Sequence, residues 1–266
     1  LSTPDSAALS ITGDIDIRAK VSLVNWAVAG NLILGKSGTG SSKSYAFDVG
    51  SDGKLHLSWW ADGATRIQKG STVATGFANG ATKWIRATLD VDNGASGNDV
   101  KFYTSDDGTT WTQLGNTVTT AGTTSIFDGT DQLTIGTYAA LTTVINGTYY
   151  KVQILNGIGG TTVFDANFET VPADSFAFTE SSSNAATVTL TTTRYSFGLP
   201  NSAIGNTSSS VTFSGNTTNY NPFKVTGKPI TIKHIAFETY SAPAANSTAR
   251  IAIYAADNHG EVPLGE

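Results

Sequence analysis

Apolar side chains recur at every second position along much of this chain, and that period constrains the fold more than any other feature. It is densest from Lys83 to Leu114, where Ile85, Ala87, Leu89 and Val91 alternate with Trp84, Arg86, Thr88 and Asp90. Successive side chains of a strand point to opposite faces, so this spacing gives one apolar and one largely polar face, as in a half-buried antiparallel strand. Asp92 to Asn98 contains only Asp, Asn, Gly, Ser and Ala, which is loop chemistry. Val100, Phe102 and Thr104 then alternate with Lys101 and Tyr103, and Asp106-Asp107-Gly108 turns the chain again before Trp111. The spacing predicts a β-meander.

The same period appears elsewhere. Ile15, Ile17, Ala19, Val21 and Leu23 alternate with Asp16, Arg18, Lys20 and Ser22, predicting a long early strand. Tyr45, Phe47 and Val49 predict another, turned at Ser51-Asp52-Gly53 into Leu55, Leu57 and Trp59, with His56, Ser58 and Trp60 on the opposite face. Further strands are expected at Asn31 to Gly35, near Ala64 to Lys69, and over Ile126 to Ile135, Gly147 to Leu155 and Thr162 to Phe168. Only 14% of residues are charged and 28 are Gly, a mix that suits strands and turns better than helices.

The turn after Thr104 matches an Asp-box, read as Thr104-x-Asp106-x-Gly108-x-Thr110-Trp111. In that reading Asp106 accepts backbone N–H bonds and Trp111 packs on its own hairpin. The motif recurs on unrelated β-folds and does not by itself imply a sialidase. The strand WIRATLDVDNG, the short Gly/Asn loop and the hairpin FYTSDDGTTWTQLG together resemble the concanavalin A-like, laminin-G-type jelly-roll modules of minor tail and other virion structural proteins of tailed bacteriophages. The resemblance is specific in this segment and covers roughly the first two-thirds of the chain. It implies an all-β concanavalin A-like sandwich over residues 1–193, closed by strands at Ser175 to Phe178 and Ala186 to Leu190.

Past Thr191 to Arg194 the composition changes to Ser, Asn, Thr and Gly. Strands are expected around Ile230 to Phe237, bulged near Lys233-His234, and around Arg250 to Ala255, and residues 194–266 resemble the beginning of a second β-sandwich module of the kind that follows such domains in phage fibres and tails. Two strands are too few for a stable sandwich, and no Met occurs in the sequence, so a piece of a longer polypeptide is expected. Heptads and solenoid repeats are absent.

A net charge of −5 gives no basic patch for nucleic acid or anionic membranes. With no cysteine there are no disulfides and no thiolate metal sites. Neither a run of about 18 apolar residues nor a signal peptide is visible, so membrane insertion is not expected.

The chemistry-bearing residues are sparse. The nearest approach to a glycosidase pair is Asp165-x-Asn167-x-Glu169, whose central residue is an amide, and the plain reading is a solvated strand face. Three histidines, His56, His234 and His259, lack metal-ligand spacing. Asp90, Asp92, Asn93 and Asp99 gather hard oxygens around one loop, and laminin-G-type folds sometimes hold calcium near strand ends, so a Ca²⁺ site at Asp90, Asp92 and Asp99 is one expectation. An EF-type loop fails there, because Gly94 and Lys101 fall at ligand positions. Sugar rings stack C–H faces on exposed aromatics and bond through hydroxyls. Trp60, Tyr103, Arg86 and His56, on polar strand faces, are therefore the candidate glycan-binding residues. The glycosylation-type triplets at Asn146, Asn206, Asn216 and Asn246 are what a Ser/Thr/Asn-rich chain produces by chance.

The expected function is that of a non-enzymatic virion structural protein, a minor tail or fibre component. It would expose a lectin-like sandwich to host-surface glycans and assemble with other virion proteins as a homotrimer or higher oligomer, without a required cofactor. A secreted or surface-bound bacterial carbohydrate-binding module is the alternative, and a glycan-cleaving enzyme the third reading.

Overall fold

A computed structural model describes residues 1–28, 30–137, 146–171 and 177–189. All fall within one compact unit, Leu1–Thr193. The second module expected over 194–266, with its Lys233-His234 bulge, lies outside the described residues.

The strands are β1 (Ser2–Thr3), β2 (Ile15–Leu23), β3 (Asn31–Gly35), β4 (Tyr45–Val49), β5 (Leu55–Trp60), β6 (Arg66–Gly70), β7 (Thr82–Asp90), β8 (Gly97–Ser105), β9 (Thr112–Gln113), β10 (Val118–Ala121), β11 (Leu133–Ile135), β12 (Gly147–Asn156), β13 (Thr161–Asn167), β14 (Ala177–Thr179) and β15 (Thr187–Thr189). They form an eight-stranded sheet ordered β14-β15-β1-β11-β3-β4-β5-β6 and a seven-stranded sheet ordered β10-β8-β7-β2-β12-β13, with β9 paired to β8. Every pairing is antiparallel. Helix among the described residues is confined to two 3₁₀ turns, Ala7–Leu9 and Phe168–Thr170. The described residues form an all-β sandwich of two antiparallel sheets.

The alternation explains the packing. Ile15, Ile17, Ala19, Val21 and Leu23 of β2 are all fully buried, as are Ile85, Ala87 and Leu89 of β7 and Val100 and Phe102 of β8. Across the core they join Leu34, Phe47, Leu57 and Trp59 from the other sheet in one hydrophobic cluster. Each large side chain so buried stabilises the sandwich by about 1.5–3 kcal/mol in transfer free energy.

Two elements differ from expectation. Only Leu133–Ile135 of the segment beginning at Ile126 is a strand. Ile126 is buried from a loop, its N–H bonded to Thr12 O, and the next amide, Phe127, bonds to Trp60 O at 2.7 Å. Further along, Gly129 N donates to Ser44 Oγ at 3.1 Å and Asp131 accepts from Gly38 N at 2.6 Å, tying this stretch to the loop before β4. Conversely, β10 carries almost no apolar signal but pairs along β8, Val118 opposite Val100.

A buried carboxylate ties the closing hairpin to the other sheet. Glu180 follows β14 and is 3% exposed; it accepts from the backbone N–H of Asp165 at 2.8 Å, Ser182 at 2.7 Å and Ala186 at 2.9 Å. Burying a charge is costly unless donors surround it, and here they do.

Candidate functional site

The outer face of the eight-stranded sheet carries a small pocket where β4, β5 and β6 run side by side. Cross-strand register sets Ala46 opposite Ser58, Asp48 opposite His56 and Trp60 opposite Arg66. These are the positions that alternate with core residues Tyr45, Phe47, Leu57 and Trp59, so they face outward. The loop from Lys36 folds over them, and Ser37, Gly38 and Lys43 complete a cavity of about 230 Å³.

Trp60 lines this cavity but is only 6% exposed. The expectation of an open aromatic platform is therefore corrected: of the two adjacent tryptophans, Trp59 enters the core and bonds through Nε1 to Thr124 Oγ1 at 3.0 Å, and Trp60 leaves the core only to be covered again. The Lys43 ammonium sits 6.0 Å from the centre of the Trp60 ring. Local parity foresees the outward direction, but the cover comes from a loop distant in sequence.

The polar groups of the pocket are incompletely used. Ser58, 1% exposed, has an Oγ without a hydrogen-bond partner among the described residues, and the buried Oγ of Ser37 is also unpartnered. Among the described residues Arg66 reaches the neutral Gln68 Oε1, at 3.4 Å. Neither Arg66 nor Lys43 forms an ion pair among the described residues.

His56 supports the pocket from beside it. Its Nδ1 lies 3.2 Å from Asp48 Oδ1 and its Nε2 3.6 Å from Asp52 Oδ1. The hydrogen bond to Asp48 raises the imidazole pKa above its ordinary value, burial opposes the rise, and the charges of Asp48 and Asp52 add to it. The ring sits close against two glycines: a Cβ would come within 2.3 Å of its Cε1 at Gly50 and within 2.7 Å of its Cδ2 at Gly70.

The other two glycan candidates, Arg86 and Tyr103, lie on the outer face of the opposite sheet, so the structure does not unite the four. Arg18, Arg86 and Tyr103 stand in one cross-strand row. Two cations directly opposite would repel, and Asp16 resolves this. Its carboxylate, fully buried, accepts from Arg86 Nε and Nη2 at 2.9 and 2.8 Å, from Arg18 Nε and Nη2 at 3.2 and 2.8 Å, and from Gly159 N at 3.0 Å. Burial alone would raise the Asp16 pKa, but the hydrogen bonds and charges of both arginines outweigh it and hold the carboxyl below its usual range. Arg86 stacks between Tyr103, 4.8 Å from the ring centre, and Trp111, at 5.6 Å. This cluster braces the sheet, with Nε and Nη2 of both arginines committed to Asp16.

The Asp-box is shifted by one residue from the sequence reading. Asp107, not Asp106, accepts from the backbone N–H of Thr109 and Thr110 at 2.8 and 2.7 Å and from Thr110 Oγ1 at 3.0 Å. Ser105, not Thr104, is the partner at the head of the turn, its Oγ accepting from Gly108 N at 2.9 Å. Asp106 points away to Lys83 Nζ at 2.5 Å. The reason is strand parity: Ser105 ends β8 buried, so the residue two beyond it folds back over the turn. Gly108 has φ of 76°, and a Cβ there would meet Trp84 at 2.6 Å. Trp111 is half-buried and packs edge-on to Trp84 of β7, ring centres 6.2 Å apart, rather than on its own hairpin alone. A larger hollow of about 380 Å³ beside the box is lined by Phe77, Lys83, Ser105, Asp106 and Asp107; Lys83 and Asp106 pair with each other, and Asp107 is taken up by the turn.

The calcium expectation does not fit the geometry. Asp99 accepts from Asn93 Nδ2 and Thr119 Oγ1, Asp92 from Gly94 N and Asp90 from Asp92 N. No group of three or more His, Cys, Asp or Glu side chains that could hold a metal ion occurs among the described residues. The oxygens of Asp90, Asp92 and Asp99 shape the loop. Of the possible catalytic carboxylates, Asp165 pairs with Lys151 at 3.1 Å and Glu169 with Lys20 at 3.0 Å.

No protein family and no curated protein matches the sequence. Among solved structures, the chain is similar to the Ruminococcus gnavus IT-sialidase CBM40 bound to α2,3 sialyllactose, at 13% identity over 59% of this chain and 86% of that one, with a TM-score of 0.41. It is also similar to a native heptameric SAP-like pentraxin from Limulus polyphemus, at 12% identity over 59% of this chain and 75% of that one, with a TM-score of 0.37. Among the described residues no helix is long and apolar enough to cross a membrane.

Proposed function

We propose that this chain is a non-catalytic glycan-binding β-sandwich, carried as a minor tail or fibre component of a tailed-phage virion and used for adhesion to the host surface. The observation that carries the binding reading is the Trp60 pocket. It combines an indole, two unpartnered buried hydroxyls at Ser37 and Ser58, and two cations, Lys43 and Arg66, without carboxylate partners among the described residues. Buried polar groups are normally satisfied, so such a set marks a place where a hydroxyl-rich ligand supplies the missing bonds. The virion assignment is supported by the WIRATLDVDNG and FYTSDDGTTWTQLG segments and their resemblance to phage tail modules.

A pocket of this size contacts one or two sugar rings, so affinity per site is weak and several copies supply useful strength. The non-catalytic reading is supported by Asp165 and Glu169 each being neutralised by a lysine. The test is a glycan array probed with the full chain, with Trp60→Phe and Arg66→Ala as comparisons, alongside a reducing-end assay on host cell-wall polysaccharide. Binding that falls in both variants, without release of reducing ends, supports the proposal. Absence of binding, or cleavage abolished by Glu169→Gln, overturns it.

A further inference from the structure

We infer that the Trp60 pocket selects an anionic sugar, one bearing a carboxylate, sulfate or phosphate group. This rests on the glycan-binding reading and narrows its ligand class. Two cations line the cavity, Lys43 and Arg66, against a single carboxylate, Asp48. That carboxylate is held by His56 at 3.2 Å, with the imidazole tilted toward its charged form, so its negative charge is partly answered from within the protein. The nearby Asp131 is turned to the backbone, accepting from Gly38 N at 2.6 Å. The pocket therefore holds two cations that form no ion pair among the described residues, on a chain whose net charge is −5.

The placement of the groups fits a sugar acid in particular. Arg66 stands directly across from Trp60 in the β5–β6 register, so a planar anion on its guanidinium fork lies beside the indole. Lys43 rests over the Trp60 ring, where a sugar's C–H face would stack. An anionic substituent draws that ammonium off the ring and uncovers it. Ser58 Oγ and Ser37 Oγ at the floor then meet ring hydroxyls. Recognition of charge and of the ring are thus coupled through Lys43.

The experiment is a glycan array in which each carboxylated, sulfated or phosphorylated glycan is printed beside its neutral parent, followed by titration of the best pair with wild type, Arg66→Ala, Lys43→Ala and Ser58→Ala. Near-ultraviolet circular dichroism checks that each variant is folded. The expected result is binding of acidic glycans over their parents by about tenfold or more, the worth of one charge-assisted bond. A loss of similar size is expected in Arg66→Ala, as is a steady fall in affinity as salt shortens the Debye length from about 10 Å toward about 3 Å. Equal binding of acidic and neutral members overturns this inference and leaves the glycan reading standing. Preference for acidic glycans that survives both Arg66→Ala and Lys43→Ala removes the charge from this pocket and equally overturns it. Binding of no glycan of either kind overturns both.

Discussion

Asp48 and His56 face each other across β4 and β5 with Oδ1 and Nδ1 3.2 Å apart, and Asp52 waits 3.6 Å from the other ring nitrogen. The imidazole thus spans two carboxylates, with Lys54 the one opposing charge, and its pKa is raised from the ordinary 6.5.

A group with a raised folded-state pKa lends stability that is fully present below its unfolded pKa and is lost as pH rises through the folded value. The protein is therefore expected to lose stability as pH climbs from about 6.5 through the raised value, and His56→Gln to lack that component. Urea melts of both proteins across that window check this; parallel curves would show that His56 is not the group responsible. Anion binding in the neighbouring pocket weakens over the same window, because a neutral imidazole leaves the Asp48 charge unanswered.

The Asp-box makes a prediction that separates neighbours in sequence. Four hydrogen bonds, the backbone amides of Thr110 and Thr109 foremost and the Ser105 hydroxyl next, hold the Asp107 carboxyl well below the usual range near 3.8. A depressed folded pKa means stability present above the unfolded value and lost as pH falls. Asp107→Asn is expected to lower the melting temperature at neutral pH and to flatten its decline below about pH 4. Asp106→Asn, which touches only the exposed Lys83 pair, is expected to leave both almost unchanged. The reverse ranking in a thermal scan would restore the reading centred on Asp106.

Asp16 joins β2, β7 and the Gly159 turn. Replacing it by Ala leaves two guanidiniums facing each other, and the expected loss is about 3 kcal/mol by chemical denaturation. Arg18→Gln in the Asp16→Ala background should recover part of the loss, since it removes one of the two opposed charges. No recovery in that double variant would mean that lost packing, rather than charge, sets the cost.

Glu180→Ala removes the acceptor of three backbone amides, one from Asp165 of β13 and two, Ser182 and Ala186, from the β14–β15 turn. The expected cost is about 2–4 kcal/mol, at about 1–3 kcal/mol for each donor left without its partner and with water entry relieving some of them. Hydrogen exchange should accelerate at Asp165, Ser182 and Ala186 before the rest of the sandwich. Uniform acceleration would show that the hairpin is not a separate unit.

The alternation of apolar residues determined the two-faced strands, and with them the all-β class and the sides taken by Trp59 and Trp60. These are local properties: side-chain parity along a strand follows from backbone geometry alone, whatever the partner strand. The weak signal of β10 and the loop at Ile126 were not legible, because edge strands and clamps are held by backbone bonds rather than by an apolar period. Tertiary structure decided what each face meets. Asp16, Arg18 and Arg86 become one cluster around a buried carboxylate only through the β2–β7 register. Trp60 becomes a pocket wall rather than a platform because Lys43 and the loop from Lys36 return over it. The four glycan candidates split between two sheets for the same reason: which strands lie side by side depends on sequence-distant packing that no local pattern encodes.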